Sequence, residues 1–143
     1  MKKSNVVKKG NQIIIPSSLD YLSSVDKFVE GKLKKMGLDK DALADCAICI
    51  SELVINAICH GNRNDLNKKV TIKLLPQPDR IIIQVIDQGC GFDPTCLKNP
   101  IDEDCLLKQA GRGIFIVKNL ADELKFECDP KRGTVAEIVK KIK

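Results

Sequence analysis

The stretch Glu52-Leu53-Val54-Ile55-Asn56-Ala57-Ile58-Cys59-His60-Gly61 is the most informative part of this chain. It has the apolar spacing of a helix, and Glu52, Asn56 and His60, at four-residue intervals, lie along one side of that helix. A carboxylate beside an amide oxygen can hold Mg²⁺, which prefers oxygen ligands, or the carboxylate can act as a general base. Taken alone, the stretch favours a simpler interpretation, an exposed helix face with a Glu–Asn contact.

A second segment, Asp87-Gln88-Gly89-Cys90-Gly91-Phe92-Asp93, changes that balance. Asp87 has the strand parity of three apolar residues, Ile81, Ile83 and Val85. Its carboxylate is therefore predicted to face the core, where carboxylates are rare unless they are paired or hydrogen-bonded. Such a group can accept a hydrogen bond from an exocyclic amine such as that of adenine, while Gly89 and Gly91 let a ligand approach the backbone. The alternative is an Asp-Gln-Gly turn without a ligand.

The third segment, Gly111-Arg112-Gly113-Ile114, precedes a predicted helix. Backbone N–H groups at a helix N-terminus form an anion site, to which Arg112 can add charge. A glycine-rich helix start without a ligand is again the alternative. Neither glycine pair completes G-x-G-x-x-G, and G-x-x-x-x-G-K-[ST] is absent from the sequence, which excludes dinucleotide-binding and P-loop motifs.

Composition indicates one globular domain over residues 1–143, since the chain is 43% hydrophobic and 30% charged. No segment looks long or apolar enough to span a membrane, and the first apolar run is too short for a signal peptide, so a cytoplasmic protein is predicted. The net charge of +5 lies largely near the two ends, and aromatic residues make up 3% of the chain. Nucleic acid is not predicted as a partner, because single strands stack on aromatic side chains.

Seven cysteines, an odd number, show no disulfide-like spacing. Cys46 and Cys49 form one C-x-x-C inside a predicted helix, without a second pair to complete a zinc site. Buried thiols are predicted here rather than a metal or redox site.

The first half of the chain predicts one strand and two helices. Gln12–Ile15 has the pattern of a short strand, and the apolar residues of Leu22–Met36 recur at helical spacing up to Gly37. Asp39 is predicted to cap a second helix. The apolar stripe expected to face the core on this second helix consists of Leu43, Ala47, Ile50, Val54 and Ile58.

The second half predicts two hairpins separated by a long irregular segment and a helix. Val70–Leu74 and Arg80–Asp87 form the first hairpin, and Leu124–Ile138 contains the second. Gln88–Ala110 has no clear period and is interpreted as a lid, after which Ile114–Ala121 returns to helical spacing. Segregated helices and antiparallel hairpins predict an α+β fold, a two-layer sandwich.

Together, the three segments resemble the sequence boxes of the GHKL ATPase superfamily, whose ATP pocket is the Bergerat fold. Glu52-x-x-x-Asn56-Ala57 is similar to the N box, Asp87-x-Gly89-x-Gly91 to the G1 box and Gly111-x-Gly113 to the G2 box. Within the superfamily, these boxes and Gly133-Thr134 resemble the bacterial anti-sigma factor serine-kinase (RsbW-like) family. The likeness covers nearly the whole chain and implies a two-layer sandwich with a mostly antiparallel sheet.

The resemblance also implies a role for each matching position. It assigns Mg²⁺ binding to Asn56, the adenine amine to Asp87, close nucleotide approach to Gly89 and Gly91, the phosphates to Gly111, Arg112 and Gly113, the adenine end to Thr134, and general-base catalysis to Glu52. One departure from the family pattern is Ala110, which stands where these kinases often carry another glycine.

The function implied is that of an ATP-dependent protein serine/threonine kinase. Such a kinase binds a sigma factor, phosphorylates a small anti-sigma-factor antagonist protein and forms a homodimer. A histidine kinase would need a phosphoacceptor histidine on a dimerisation helix, whereas the sole histidine here, His60, lies in the N box. The alternative function is a non-catalytic, nucleotide-gated binding module of the same fold.

Overall fold

The computed structural model describes residues 6–89, 112–129 and 133–142. Within them, the helices are α1 (Leu22–Lys35), α2 (Lys40–Asn56) and α3 (Arg112–Leu120), with a 3₁₀ turn at Leu19–Tyr21 and a π-helical turn at Ala57–Gly61. The strands are β1 (Val7–Lys9), β2 (Gln12–Pro16), β3 (Lys69–Pro76), β4 (Arg80–Ile86), β5 (Glu123–Asp129) and β6 (Gly133–Lys141). The predicted α+β fold is confirmed.

The strands form one antiparallel sheet in the order β1-β2-β3-β4-β6-β5. Both predicted hairpins are present, as the pairs β3–β4 and β5–β6. Because β6 rather than β5 pairs with β4, Ile86 at the end of β4 lies opposite Val135 near the start of β6. The segment after β4 is thereby brought next to the start of β6.

One face of the sheet packs against the helices and forms the core. In β3 and β4, alternate residues are fully buried, as period-2 strands with one covered face require. Helix α1 contributes Val25, Val29 and Leu33 to the same core, as its spacing predicts. The helix ends where Gly37 adopts a φ of +86°, a left-handed conformation that favours glycine.

Helix α2 begins as predicted, but its buried face differs from the predicted stripe. Asp39 caps the helix, and its Oδ1 accepts a 2.8 Å hydrogen bond from the Ala42 N–H. The C-terminal half of the stripe is buried as expected, whereas Leu43 and Ala47 are half-buried. The additional buried side chains are Ala42, Cys46, Cys49 and Leu53. Apolar residues surround much of this helix, so periodicity alone did not determine which side faces the sheet.

The stretch Lys40–Gly61 corrects one expectation from the sequence. By length and composition alone, this 22-residue helix could cross a membrane. In its most apolar 18-residue stretch, 44% is buried inside the protein. A core helix passes the same test, and α2 packs here against β4, β6, α1 and α3. Its apolar character is therefore accounted for by burial within the fold.

The predicted buried thiols are confirmed. Cys46 and Cys49 are each 1% exposed on the core side of α2. Burial raises the pKa of the Cys46 thiol to about 12 and that of the Cys49 thiol to about 11, with the neighbouring acidic groups contributing further. Both groups are therefore protonated at neutral pH.

Strand β1 is not anticipated by the sequence pattern. Its residues Val7–Lys9 are exposed and too few to show a period. The strand exists because it pairs with β2, with Val7 opposite Ile14, across a turn that contains Gly10 at a φ of +60°. It forms an edge of the sheet.

Candidate functional site

Asp87 lies at the end of β4 and is 5% exposed, as its strand parity predicts. Its Oδ1 accepts hydrogen bonds from the N–H groups of Gly89 at 3.0 Å and Thr134 at 3.2 Å. In return, the Asp87 N–H donates to the Thr134 carbonyl at 2.9 Å. Burial raises the pKa of Asp87 to about 6, although the two N–H donors and Lys68 act in the opposite direction. The hydrogen bonds thus hold the carboxylate in a buried environment that disfavours its charged form.

Glycines bring three parts of the backbone together around this carboxylate. A side chain at position 61 would collide with the Asp87 carboxylate, and one at position 89 would collide with the carbonyl of Gly61. Gly133 has a φ of +103° and leaves no room for a side chain beside the Asp87 carbonyl. The turn after α2, the segment after β4 and the start of β6 therefore meet at Asp87.

A cavity opens beside this junction. It is lined by Leu53, Asn56, Ala57, His60, Gly61, Val85, Asp87, Phe126, Thr134 and Ala136. Asn56, Asp87 and Thr134, which the resemblance assigns to one ligand, thus share one cavity. His60 is exposed at this cavity, after the π-helical turn has interrupted the regular α-helical row from Glu52 and Asn56.

Two buried polar atoms in this cavity have no hydrogen-bond partner within the described part of the chain, Asn56 Nδ2 and Thr134 Oγ1. Buried polar groups in folded proteins nearly always have a partner, so both atoms fit a polar ligand. An asparagine amide can also turn to present its oxygen, the type of ligand that Mg²⁺ takes. These groups therefore suit a nucleotide with its metal.

The other end of the site lies between α2 and α3, which pack against each other. A Cβ at position 113, in the first turn of α3, would lie 2.6 Å from Glu52 Oε1 on α2. The glycine therefore allows the half-buried Glu52 side chain to reach the N-terminal end of α3. Asn56 lies about one turn further along α2, roughly 6 Å from Glu52 in the axial direction.

The structure thus places Glu52 beside Gly113 and Asn56 with Asp87 and Thr134, while Gly89 closes the turn after Asp87. Gly91, Gly111 and most of the predicted lid at 88–110 lie outside the described residues, as does the Arg112 side chain. Within residues 6–89, 112–129 and 133–142, no three His, Cys, Asp or Glu side chains gather into a metal cluster. Mg²⁺ typically takes one or two protein ligands together with phosphate oxygens, and Asn56 suits that mode.

One residue of the site, Asn62, is not anticipated by the sequence pattern, in which Gly61-Asn62 looks like the end of the second helix. Asn62 is 1% exposed, and its Oδ1 accepts a 2.8 Å hydrogen bond from the Gln88 N–H, next to Asp87. A polar residue in a break normally indicates a solvent-exposed turn. Its burial depends on a contact with a residue 26 positions away, which local patterns do not reveal.

The sequence matches a known protein family. The family model "Histidine kinase-like ATPase domain" matches residues 15–140. The chain belongs to this family. Among RsbW-like relatives, the serine-protein kinase RsbW of Staphylococcus aureus is 29% identical over 136 residues, which cover 90% of this chain and 84% of the relative. The serine-protein kinase RsbW of Bacillus subtilis is 26% identical over 122 residues, covering 79% and 74%.

Solved structures support the fold of this histidine kinase-like ATPase domain. The crystal structure of the RsbU and RsbW domains of Rv1364c from Mycobacterium tuberculosis matches with a TM-score of 0.66 at 19% identity. The match covers 90% of this chain and 30% of that one. The histidine kinase domain of a blue-light activated kinase from Erythrobacter litoralis matches with a TM-score of 0.59 at 19% identity, over 90% of this chain and 62% of that one. The predicted RsbW-like, GHKL-type membership is confirmed.

Proposed function

We propose that this chain is an ATP-dependent protein serine/threonine kinase that binds a sigma factor and phosphorylates a small anti-sigma-factor antagonist. One observation carries the proposal: the buried Asp87 carboxylate shares a cavity with Asn56 Nδ2, which has no hydrogen-bond partner among the described residues, and the Glu52–Gly113 contact lies about one helical turn away. The RsbW relatives are named serine-protein kinases, which supports the reaction class. The two protein partners follow from the family resemblance.

In this proposal, the adenine base binds at the Asp87 end. The carboxylate accepts a hydrogen bond from the exocyclic amine through Oδ2, because Oδ1 already receives two backbone N–H groups. The Thr134 hydroxyl, buried in the same cavity, supplies a second polar contact to the base. Gly61 and Gly89 keep the space next to the carboxylate free of side chains.

The phosphates extend from this end toward α3. Asn56 would hold Mg²⁺ together with phosphate oxygens, and the bound ion supplies positive charge to the phosphate that is transferred. In this proposal, the N–H groups in the first turn of α3, which begins beside Glu52, stabilise negative charge on the phosphates. Gly91, Gly111 and Arg112 remain predicted contacts to the nucleotide.

Glu52 is the proposed general base. Its carboxylate would accept the proton from the serine or threonine hydroxyl as that oxygen attacks the terminal phosphate of ATP, whose bond to the bridging oxygen breaks to release ADP. This proton transfer contributes roughly 10²–10⁴ in rate. Glu52 is half-buried beside the N-terminal end of α3, so its oxygens lie close to the proposed phosphate position.

Glu52→Gln tests this role, with Glu30→Gln as the matched control on α1. Glu30 is well exposed, pairs with Lys34 on the same helix and does not line the cavity. We expect Glu52→Gln to bind ATP like the wild type but to lose phosphotransfer by about 10²–10⁴-fold. Transfer from labelled ATP to the antagonist encoded nearest to this chain in its genome is the measurement. Equal transfer by Glu52→Gln and Glu30→Gln would refute the general-base assignment.

The second candidate is a non-catalytic ATP-gated binding module. One contrast favours this candidate. Three backbone segments form the base-binding end, so nucleotide binding is supported by many contacts, whereas catalysis is assigned to a single carboxylate. A pull-down of the sigma factor with ATP or ADP, run beside the transfer assay, separates the two functions. Nucleotide-dependent capture without phosphotransfer by the wild type would select the binding module. A homodimer and a cytoplasmic location stay predictions.

A further inference from the structure

Asn62 is the centre of a buried hydrogen-bond network next to the proposed base-binding end. Its Nδ2 donates to Ser17 Oγ at 2.8 Å and to the Lys69 carbonyl at 3.0 Å, while its Oδ1 accepts from the Gln88 N–H at 2.8 Å. Asn62 and Ser17 are each 1% exposed. The amide therefore uses both donor hydrogens and its acceptor inside the protein.

The network joins three separate parts of the sheet layer. The Ser17 hydroxyl, just after β2, donates in turn to the Lys68 carbonyl at 2.6 Å. Gln88 Oε1 accepts from the Lys69 N–H, also at 2.6 Å. The end of β2, the start of β3 and the segment after β4 are thus fixed to one side chain.

The contact with Gln88 links this network to Asp87. Gln88 stands between Asp87 and Gly89, so holding its N–H fixes the backbone that carries the carboxylate. The Gly61 backbone, immediately before Asn62, packs directly against the Asp87 carboxylate. Asn62 therefore reaches the carboxylate from two sides, through the Gln88 backbone and through its own neighbour in the chain.

We propose that Asn62 is a positioning residue that sets the base specificity of this site, an inference that rests on the proposed function. It holds the Asp87 carboxylate where it accepts a hydrogen bond from a purine that carries an exocyclic 6-amine. Guanine presents a carbonyl oxygen at that position, which a fixed carboxylate repels. If the segment after β4 is released, the carboxylate can move away, and discrimination between ATP and GTP decreases.

Asn62→Ala and Ser17→Ala form the test pair. Both remove hydrogen bonds from the same buried network, but Ser17→Ala leaves the Asn62–Gln88 bond in place. We expect both variants to lower the free energy of unfolding. Asn62→Ala alone should weaken ATP binding by about tenfold and reduce the ratio of ATP to GTP affinity by a similar factor. A purely structural role would leave that ratio unchanged in the folded protein.

The outcomes separate this inference from the proposed function. If folded Asn62→Ala keeps the wild-type ratio, or if Ser17→Ala changes the ratio equally, the inference is overturned and the proposed function stands. A wild-type chain that binds no ATP overturns both. The Gln88 amide of the wild type gives an independent test that needs no variant to fold. Slow hydrogen exchange at this amide without nucleotide supports the inference, and unprotected exchange contradicts it.

Discussion

At the scale of single residues, Asp87 combines two opposing demands. The fold buries the carboxylate and raises its pKa to about 6, whereas the proposed contact with an adenine amine needs the ionised acceptor. The two backbone N–H donors stabilise the charged form only in part. We therefore expect the ionised Asp87 carboxylate to lower the free energy of unfolding at neutral pH.

Stability should consequently rise as the pH falls through the pKa of Asp87. The folded pKa of about 6 lies above the ordinary value of 3.8, so this stabilising contribution is complete below pH 3.8 and is lost as the pH rises through 6. The full difference corresponds to roughly 3 kcal/mol. Urea unfolding of the wild type and Asp87→Asn between pH 5 and 8 covers about half of this change, roughly 1.4 kcal/mol, because the rest occurs below pH 5. The stability advantage of Asp87→Asn should grow over this range, and a constant difference would contradict the prediction.

At the scale of secondary-structure elements, the site depends on how α2 and α3 approach each other. Gly113 lies where α3 meets the Glu52 carboxylate, and the missing side chain allows that approach. The atom that a new methyl group would meet is the far end of a flexible side chain. The helices can therefore keep their packing while the carboxylate moves.

Gly113→Ala should thus impair phosphotransfer more than stability. An alanine Cβ 2.6 Å from Glu52 Oε1 displaces the proposed base, and misplacement by about 1 Å can cost on the order of 10²-fold in rate. Gly31→Ala on α1 is the control, because a Cβ there meets nothing within 4 Å. Transfer rates and thermal unfolding of both variants are the measurements. A phosphotransfer rate of Gly113→Ala equal to that of the wild type would contradict the assignment of Glu52 as the general base.

The sequence predicts these elements to different degrees. The strands around Ile72 and Ile83 follow from strict alternation, and the cap at Asp39 follows from its position before an apolar run. The burial of Asp87 follows from parity alone. By contrast, β1 and the buried Asn62 depend on pairing with distant parts of the chain, which local patterns do not contain. The segments that the structure does not describe leave the predicted lid untested.

At the scale of the whole molecule, the proposed ligand touches elements from both layers of the sandwich, the helices and the sheet. Asn56 comes from α2, Asp87 follows β4, Gly113 belongs to α3 and Thr134 to β6. A ligand that binds only the folded chain stabilises all these elements together, by about 2.7 kcal/mol at 100 times its Kd. The two buried thiols of α2 provide a probe for this effect.

Cys46 and Cys49 should react with a thiol reagent only when the core opens, because each is 1% exposed and has a strongly raised pKa. At pH 8, ATP at 100 times its Kd should slow their labelling by about 100-fold if they react through global unfolding. Mass spectrometry of the labelled peptides measures the rates. Asp87→Asn, with its weakened base contact, should show a smaller effect. A labelling rate of the wild type that does not change when ATP is added would contradict the prediction.

The π-helical turn at Ala57–Gly61 also determines how the fold accommodates a change in the number of residues at this point. The Asn62 N–H bonds to the Ala57 carbonyl at 2.8 Å, five residues back, so this turn holds one residue more than an α-helical turn. Because the turn accommodates this extra residue locally, deleting one residue from it would give an ordinary α-helical turn and leave the direction of the following chain nearly unchanged. A relative one residue shorter in this turn would therefore still place the counterparts of Gly61 and Asn62 beside Asp87, and aligning it with this chain would need a one-residue gap between Ala57 and Asn62.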